Sequence, residues 1–413
     1  RHQGNLNWNI PINKIPILDF VTATYKYTMT YNWQRTPFAL GQDTMGNTVQ
    51  NNNSHTWSGQ FNMVSLYNKI PFFKKVNSKS NTQGKTPNVK PVIKQNNPKD
   101  TTTKKKQEPE KERPLLEYLA RVVMSVKTVS VNFTSQNGTV LPGFRPTSRL
   151  LGMDINDKNF MNFMPFVFGR QYNGSDQELP QLAVDNNWLT RQNNLVNSYS
   201  RTHTENFTAR ATVEPLPDLK IELNMNRTYA RNYSSFITFN DSLDLFNFNG
   251  TPNLNGNFSM STITFGSAFS RDDKTSYANE VFNEFRNVQR LKYAAQLAST
   301  NPNSYYQIDT ATNKGYWDGY SLEHQDVLIN AFCAAYTGKS NRVKPDYFKS
   351  LPLPNWNVRF EGLGKIKSLK KIFKGITLSH SYRSTINFAS FTNNLLYGTD
   401  NNGNANIKNP GNA

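Results

Sequence analysis

The chain holds one cysteine, five histidines and only 18% charged residues in 413, and each shortage removes a class of protein. A single thiol, Cys333, forms no internal disulfide and no thiolate metal site, so redox logic leaves the compartment open. His2, His55, His203, His324 and His380 are scattered without metal-ligand spacing such as HExxH, and no catalytic cluster is expected of them. No stretch approaches the roughly 18 apolar residues of a membrane-spanning helix. That excludes helical insertion but not a membrane β-barrel, whose strands show only alternation. The first residues, RHQGNLNWNI, carry neither a charged n-region nor an apolar h-region, so no targeting signal is read there.

Aromatics are plentiful at 13%, although hydrophobic residues reach only 36% and mean hydropathy is −0.67. With so few charges, the polarity comes from Asn, Ser and Thr. The formal charge of +18 invites a nucleic-acid reading, since basic fields bind phosphates and aromatics stack on bases. Its location argues otherwise. Residues 69–113 carry thirteen Lys or Arg against four acids, and residues 365–374 carry five lysines and no acid. Most of the excess therefore lies in two segments segregated from the aromatics, as solvated basic connections would be, and no nucleic-acid partner is expected.

The clearest pattern is strict alternation over residues 21–33. Val21, Ala23, Tyr25, Tyr27, Met29, Tyr31 and Trp33 interleave with Thr22, Thr24, Lys26, Thr28, Thr30 and Asn32, which defines a β-strand with unlike faces. Alternation recurs at 207–213, at 219–229 and near 376–391, and more weakly at 57–66, 120–133, 258–269 and 356–361. Thirteen residues extend about 43 Å at roughly 3.3 Å each, longer than most soluble strands. Long strands with aromatic ends fit a tilted bilayer crossing. The expected fold is all-β, an antiparallel transmembrane β-barrel segment built of long hairpins. Its lipid-facing set is Tyr25, Tyr27, Met29, Tyr31, Trp33, Ile221 and Leu223. Its lumen-facing set is Thr24, Lys26, Thr28, Glu222, Asn224, Asn226 and Arg383. The competing reading is a soluble β-sandwich or solenoid.

Connections fall into two kinds. Short or basic ones, NKIPILDF at 13–20, NKIPFFKKV at 68–76, PLPD at 215–218 and GKIKSLKKIFKG at 364–375, alternate with long Asn/Gly-rich ones at 34–55, 134–205 and 232–257. This asymmetry is that of outer-membrane barrels, with the short turns periplasmic. Residues 1–76 thus read as barrel hairpins, 77–113 as a disordered basic insert in a turn, and 114–270 as strands with long outer loops. Residues 271–353 read as a helical or irregular insertion, 354–395 as a further hairpin, and 396–413 as a low-complexity tail without a closing aromatic strand. Within the insertion, Val281, Phe285, Val288, Leu291 and Ala295 predict an amphipathic helix over 272–299. Strand direction then conflicts: either a crossing is missing between 270 and 353, or the turn after 361 is not periplasmic. The apolar run 327–336 is a candidate strand or a buried helix.

Motif searches for chemistry end in structural readings. Thr337-Gly338-Lys339-Ser340 lacks the first glycine of a phosphate loop, whose position falls at Cys333. Asp154-Ile155-Asn156-Asp157 lacks the glycine and terminal glutamate of a calcium loop. Neither a metal, a cofactor nor an enzymatic activity is expected.

Four segments in order, Gly138-Thr139-Val140-Leu141-Pro142-Gly143-Phe144, Gln325-Asp326-Val327-Leu328-Ile329 with Ala331-Phe332, Leu351-Pro352-Leu353-Pro354-Asn355-Trp356, and Leu378-Ser379-His380-Ser381-Tyr382-Arg383-Ser384-Thr385, resemble the SprA family, also called Sov. That family is the outer-membrane translocon of the type IX secretion system in Bacteroidota. The resemblance implies a very large protein-conducting barrel of which this chain supplies a part from the C-terminal half, exporting folded cargo proteins to the cell surface with no bond made or broken. It also implies as partners a PorV-type barrel, a periplasmic plug protein and outer-membrane lipid, and in gliding species the surface adhesins. On this reading the Gly138–Phe144 motif lies in a long outer loop and shapes a gate or cap. Two rival functions remain: a TonB-dependent nutrient receptor, whose plug domain and coupling box are not seen, and a secreted β-rich adhesin.

Overall fold

The computed structural model describes the chain apart from residues 38–44, 82–114, 151, 173, 193, 194, 196, 249–251, 276–277, 303, 309–314, 339–350, 371, 374 and 393–413. The expected disordered insert thus lies almost wholly, and the expected tail wholly, outside the described residues; the insert's first residues close a helix. Alternating residues make long strands because one face of each can be buried while the other stays solvated. Strands β1 (His2–Ile10) and β2 (Val21–Gln34) are joined by a 3-10 turn at Pro11–Lys14. Strand β3 (Asn47–Asn62) runs straight into helices α1 (Met63–Lys69) and α2 (Pro71–Asn81), and α3 (Leu115–Val123) leads into β4 (Val126–Phe144). Helices α4 (Phe160–Val167) and α5 (Glu178–Asp185) precede β5 (Tyr199–Leu216). A tight turn through Asp218, at φ 67, reverses the chain into β6 (Leu219–Ser235).

Beyond β6 come a small hairpin, β7 (Thr238–Asn240) with β8 (Leu245–Asn247), and then β9 (Asn253–Ser261). Next is a mostly helical stretch: α6 (Phe265–Ala268), α7 (Glu280–Glu284), a π turn (Phe285–Gln289), α8 (Arg290–Thr300), the hairpin β10 (Tyr306–Ile308) with β11 (Gly315–Trp317), and α9 (Gln325–Thr337). The sheet resumes with β12 (Asn355–Phe360), followed by a 3-10 turn at Gly362–Lys365, α10 (Lys367–Lys370), β13 (Leu378–Tyr382) and β14 (Thr385–Thr392). The run 327–336 is therefore helix. Strands at 57–66, 120–133 and 258–269 are each shorter at one end than expected, because their apolar ends are taken by helices α1, α3 and α6.

β1 to β6 pair in chain order, each antiparallel to the next. β6 then pairs on its free edge with two strands: β12 along Leu219–Asn224 and β9 along Arg227–Ser234. Met260 lies opposite Arg227 and Asn355 opposite Asn224, so β9 and β12 occupy one track and run the same way. β14 and β13 repeat this, pairing with β9 and β12 respectively. Among the described residues the sheet is thus an up-and-down meander of eight passes, two of them interrupted halfway. No crossing is missing between 270 and 353. Instead one pass is split, and residues 262–354 leave it and return at the same height.

The break is sealed by short polar side chains. Ser261 Oγ accepts from the Asn226 N–H (3.0 Å) and donates to the Leu353 carbonyl (2.8 Å), while Leu353 N–H donates to Ser261 O (2.9 Å). On the next strand, Asn355 Oδ1 accepts from Ser384 N–H (2.9 Å) and Thr262 N–H donates to Ser384 O (3.1 Å). Ser261, Thr262 and Asn355 are buried. Buried backbone groups must be paired, and an interrupted strand leaves them orphaned unless side chains substitute. Ser261→Ala removes a partner from both Asn226 N–H and Leu353 C=O. Local opening around Asn226 is expected to become easier by about 2 kcal/mol, the order of the cost of buried unpaired groups, read as faster amide hydrogen exchange at residues 224–228.

Candidate functional site: a two-faced sheet and the elements docked on it

Register carries the alternation across every pass, so side chains sort onto two faces. One face bears Lys26, which lies in line with Thr56, Thr134, Asn206 and Thr228. From the turn end up to Thr228, the β2–β6 side chains on this face all carry a hydroxyl, an amide or a charge. They include Thr24, Ser58, Asn132, Arg210, Glu222, Asn224 and Asn226, and Thr28 follows on the same face one row higher. We call it the amide face. Cross-strand bonds knit it together: Thr56 and Thr134 hydroxyls meet at 3.2 Å, and Ser58 donates to Asn132 Oδ1 at 2.9 Å. Lys220 and Glu222 pair at 2.6 Å within one strand. Six of the seven expected water-facing residues therefore share one face. The seventh, Arg383, is exposed at the interruption between β13 and β14, outside both ladders.

The opposite, aromatic face changes character with height. Near the turns it is an apolar band: Leu6, Trp8 and Ile10 on β1, Val21, Ala23 and Tyr25 on β2, Trp57 and Phe61 on β3. The band continues through Val129, Val131 and Phe133 on β4, Phe207, Ala209, Ala211 and Val213 on β5, and Ile221, Leu223 and Met225 on β6. Trp356, Val358 and Phe360 on β12 extend it. Leu6, Trp8 and Trp57 stay about half exposed, at 56%, 52% and 47%. Directly above runs a polar belt. Asn137 Nδ2 donates to Asn53 Oδ1 (2.9 Å), His203 Nδ1 lies 2.6 Å from Asn137 Oδ1 and its Nε2 3.2 Å from Glu205, and Glu205 pairs with Arg227.

Above the belt, residues 145–198 fold down as a cap. Its core packs Phe163, Phe166, Val167, Leu179, Ala183, Trp188 and Leu189 against Tyr31, Val49, Leu141, Phe144, Tyr199 and Tyr233 of the strands. Phe144 stacks on Phe163 at 4.5 Å, and Trp188 Nε1 donates to Asp157 Oδ2 at 2.6 Å. Glycines let the cap approach β2. Gly152 (φ +79) lies against the Tyr31 ring and Gly169 (φ +89) against Tyr27 and Met29, so a side chain would clash as well as strain the backbone. Charge latches the other side: Asp176 accepts from Arg231 Nη1 (3.0 Å) and Nη2 (2.6 Å) and from Arg201 Nη1 (3.1 Å).

The expected lipid-facing set divides accordingly. Tyr25, Ile221 and Leu223 lie in the apolar band. Tyr27 and Met29 sit at the cap's edge, the Tyr27 hydroxyl donating to Phe168 O at 2.8 Å. Tyr31 and Trp33 are corrected: Tyr31 is 1% exposed with its hydroxyl on Gly152 O, and Trp33 packs on the cap core with Nε1 toward Pro146 O. The Gly138–Phe144 motif is corrected too, from loop to strand. Gly138 lies in register between Asn52 and Thr202, Leu141 and Phe144 are buried under the cap, and Gly143 O accepts from Thr190 N–H (2.8 Å). Asp154 and Asp157 hold their own loop, binding the N–H of Asn156 and Asn159. Among the described residues no group of three or more His, Cys, Asp or Glu is placed to hold a metal.

The 262–354 insertion has a separate core of Tyr293, Ala294, Leu297, Ala298, Tyr320, Val327, Ala331 and Ala334. Phe265 joins it to the band, stacking near Tyr382 (4.5 Å) and Trp356 (5.6 Å), and Phe332 meets Phe388 at 6.0 Å. The expected helix is present only from Glu280, Asp272 and Asn279 forming a bridge ahead of it, and the π turn adds a residue and rotates α8 by about 100°. The buried side of the helix is Gln289, Tyr293, Ala294, Leu297 and Ala298, while Val288 and Leu291 are each 54% exposed. Burial pushes the Cys333 thiol up to about 12. Sequence reasoning missed the Asp176 latch. Its signal was Arg201 on β5 and Arg231 on β6, two charges on the otherwise apolar-periodic face of their strands.

No protein-family model matches the chain, and no curated protein matches it.

The latch and the helix cap are each open to test. Asp176→Ala removes three charge-assisted bonds, which are worth more than neutral ones, and is expected to ease cap opening by about 2 kcal/mol, read as faster hydrogen exchange over 160–190 with that of 219–225 unchanged. His324 caps α9, its Nδ1 accepting from Asp326 N–H at 3.3 Å, and burial lowers its pKa below 6.5 despite the opposing pull of Asp326. A depressed histidine contributes stability that is complete above the unfolded value and fades as pH falls through the folded one. Protection of the α9 amides, with exchange rates corrected for their intrinsic pH dependence, is therefore expected to fall as pH is lowered from 7.5 to 5, more steeply than in His324→Asn, which retains a cap without a titrating group.

Proposed function

We propose that the chain is part of the wall of an outer-membrane β-barrel that conducts folded proteins to the cell surface, a translocon segment of the kind its motifs resemble in the SprA, or Sov, family. The observation that carries this reading is the pairing of a fully polar face with an apolar, aromatic-rimmed band on the reverse of the same strands. Water on one side and hydrocarbon on the other is the environment in which both faces are satisfied. The main strands have 14 to 19 residues, more than the roughly 9–11 needed to cross the hydrocarbon core. The surplus lies at the loop end, where the aromatic face turns polar and is covered by the cap.

The width of the wall supports a large pore. Eight passes at about 4.8 Å span about 38 Å before tilt. Among the described residues β1 and β13–β14 have open edges, which are costly in lipid and call for neighbouring strands of the kind a larger barrel supplies. The lining is hydroxyl and amide with few charges, so cargo slides past without strong binding. On this reading lipid covers the band, the cap and insertion stand above it on the outer surface, and the short turns face the periplasm. A PorV-type barrel, a periplasmic plug protein and exported proteins, adhesins among them in gliding species, are the partners that the resemblance supplies; the role in gliding motility rests on it alone.

Cysteine labelling in intact membranes tests the reading. With Cys333 buried and unreactive, Lys26→Cys and Asn224→Cys are expected to react with a membrane-impermeant maleimide at least tenfold faster than Tyr25→Cys and Leu223→Cys. Equal rates on the two faces overturn it.

A further inference from the structure

Three connections at the turn end share one local design that the wall itself does not require. The helical turns Pro11–Lys14, Met63–Lys69 and Gly362–Lys365 each end in lysine, and each is capped by an isoleucine in extended conformation. Ile15, Ile70 and Ile366 have φ/ψ of −80/120, −89/115 and −70/122. Each donates its N–H to the carbonyl three residues back: Ile12 (3.0 Å), Tyr67 (3.2 Å) and Leu363 (3.2 Å). The cap residue then projects outward, 50%, 43% and 48% exposed. Further apolar side chains come later in each turn, Ile17 at 72%, Phe72 at 44% and Ile372 at 75% exposure. Exposed lysines flank them, including Lys14, Lys74, Lys75 and Lys370.

A turn in water favours Asn, Gly, Asp or Ser, and a repeated exposed isoleucine has no local advantage there. Scattered apolar residues need no explanation, but the same residue at the same position of three separate turns does. Ion pairs hold these turns to their neighbours at the same end of the sheet: Lys69 Nζ pairs with Asp19 of the first turn, and Lys365 Nζ with Asp218 of the turn between β5 and β6, both at 2.6 Å. The turns lie directly beneath the apolar band, whose lowest members Ile10, Val21, Phe61 and Phe360 adjoin them in sequence. Apolar residues next to lysines, continuous with a hydrocarbon-facing surface, match the interfacial zone of a bilayer, where stems and side chains enter lipid and ammonium groups meet phosphate.

We propose that these turns form a collar that inserts in the headgroup region of the turn-side leaflet and selects anionic phospholipid. This rests on the membrane reading above, so the test separates the two. Spin labels are placed through Ile15→Cys, Ile70→Cys and Ile366→Cys, each an exposed site. References are Trp8→Cys in the band and Leu243→Cys at the loop end, where Leu243 is 66% exposed. The full chain is reconstituted in vesicles of phosphatidylethanolamine with phosphatidylglycerol, and accessibility to oxygen is compared with accessibility to a neutral nickel chelate. The collar labels are expected to resemble the Trp8 label, with an oxygen-to-nickel ratio several-fold above that at Leu243. Replacing phosphatidylglycerol by phosphatidylcholine is expected to shift the collar labels toward the nickel reagent while Trp8 stays immersed. Collar labels as nickel-accessible as Leu243, with Trp8 immersed, overturn the collar and leave the turns as a surface for a protein partner. Immersion that is the same in phosphatidylcholine overturns the preference for anionic lipid. A water-exposed Trp8 label removes the membrane reading itself, and the collar with it.

Discussion

The architecture depends on how the backbone of β6 finds partners along its whole free edge. Seventeen residues need an unbroken neighbour, yet the neighbouring pass is interrupted after Ser261 and resumes at Asn355. A sheet tolerates such a gap only if the orphaned donors and acceptors are paired. Ser261 supplies both functions from one hydroxyl, and Asn355 and Ser384 repeat the arrangement on the next pass. This knot lets 93 residues leave the sheet without ending it, and it fixes where they leave. The exit lies between Met225 and Arg227 on β6, the height at which the aromatic face passes from apolar to charged.

That height organises the rest of the molecule. Below it, half-exposed Trp8 and Trp57 alternate with residues of the amide face, and Trp356 meets Phe265 of the insertion. Above it, the same periodic positions hold Asn53, Asn137, His203, Glu205 and Arg227, followed by the buried Tyr31, Leu141 and Phe144 beneath the cap. Cap and insertion therefore occupy the upper part of one face. The cap's hold combines close backbone approach at Gly152 and Gly169 with the bonds of Asp176, so it is bound by shape on β2 and by charge on β5 and β6. The strand residues beneath the cap, among them Tyr31, Val49, Tyr199 and Tyr233, all belong to the aromatic face and none to the amide face.

Period-two alternation made the faces legible in the sequence, and most of the strands with them. It assigned Tyr25 and Lys26, or Leu223 and Asn224, to opposite sides, because the pleat dictates this whatever lies around. It says nothing of position along the strand. Tyr31 and Trp33 obey the same alternation as Tyr25 but meet protein, since folding 145–198 back over them is a long-range event without a local signature. The Gly138–Phe144 motif was assigned to a loop because it falls in the long Asn/Gly-rich connection at 134–205, yet bulge-like geometry at Gly143 continues the strand. The interrupted pass was visible only as a failure of strand direction. In the insertion, regular helical spacing pointed to Val288 and Leu291, and a single π turn moved them to the exposed side.

The polar face, the apolar band and the height-limited cap are explained together if the lower half of the sheet stands in a bilayer with water on one side, the arrangement on which the proposed function rests. The most direct measurement is depth-resolved fluorescence quenching by brominated phospholipids, using chains that retain Trp57 alone or Trp188 alone. Trp57 lies in the band, 47% exposed, and Trp188 in the cap core, 1% exposed. The account predicts strong quenching of Trp57 by bromines on the acyl chain and none of Trp188. Trp57 emission that is unaffected by brominated lipid and quenched instead by aqueous iodide would contradict it.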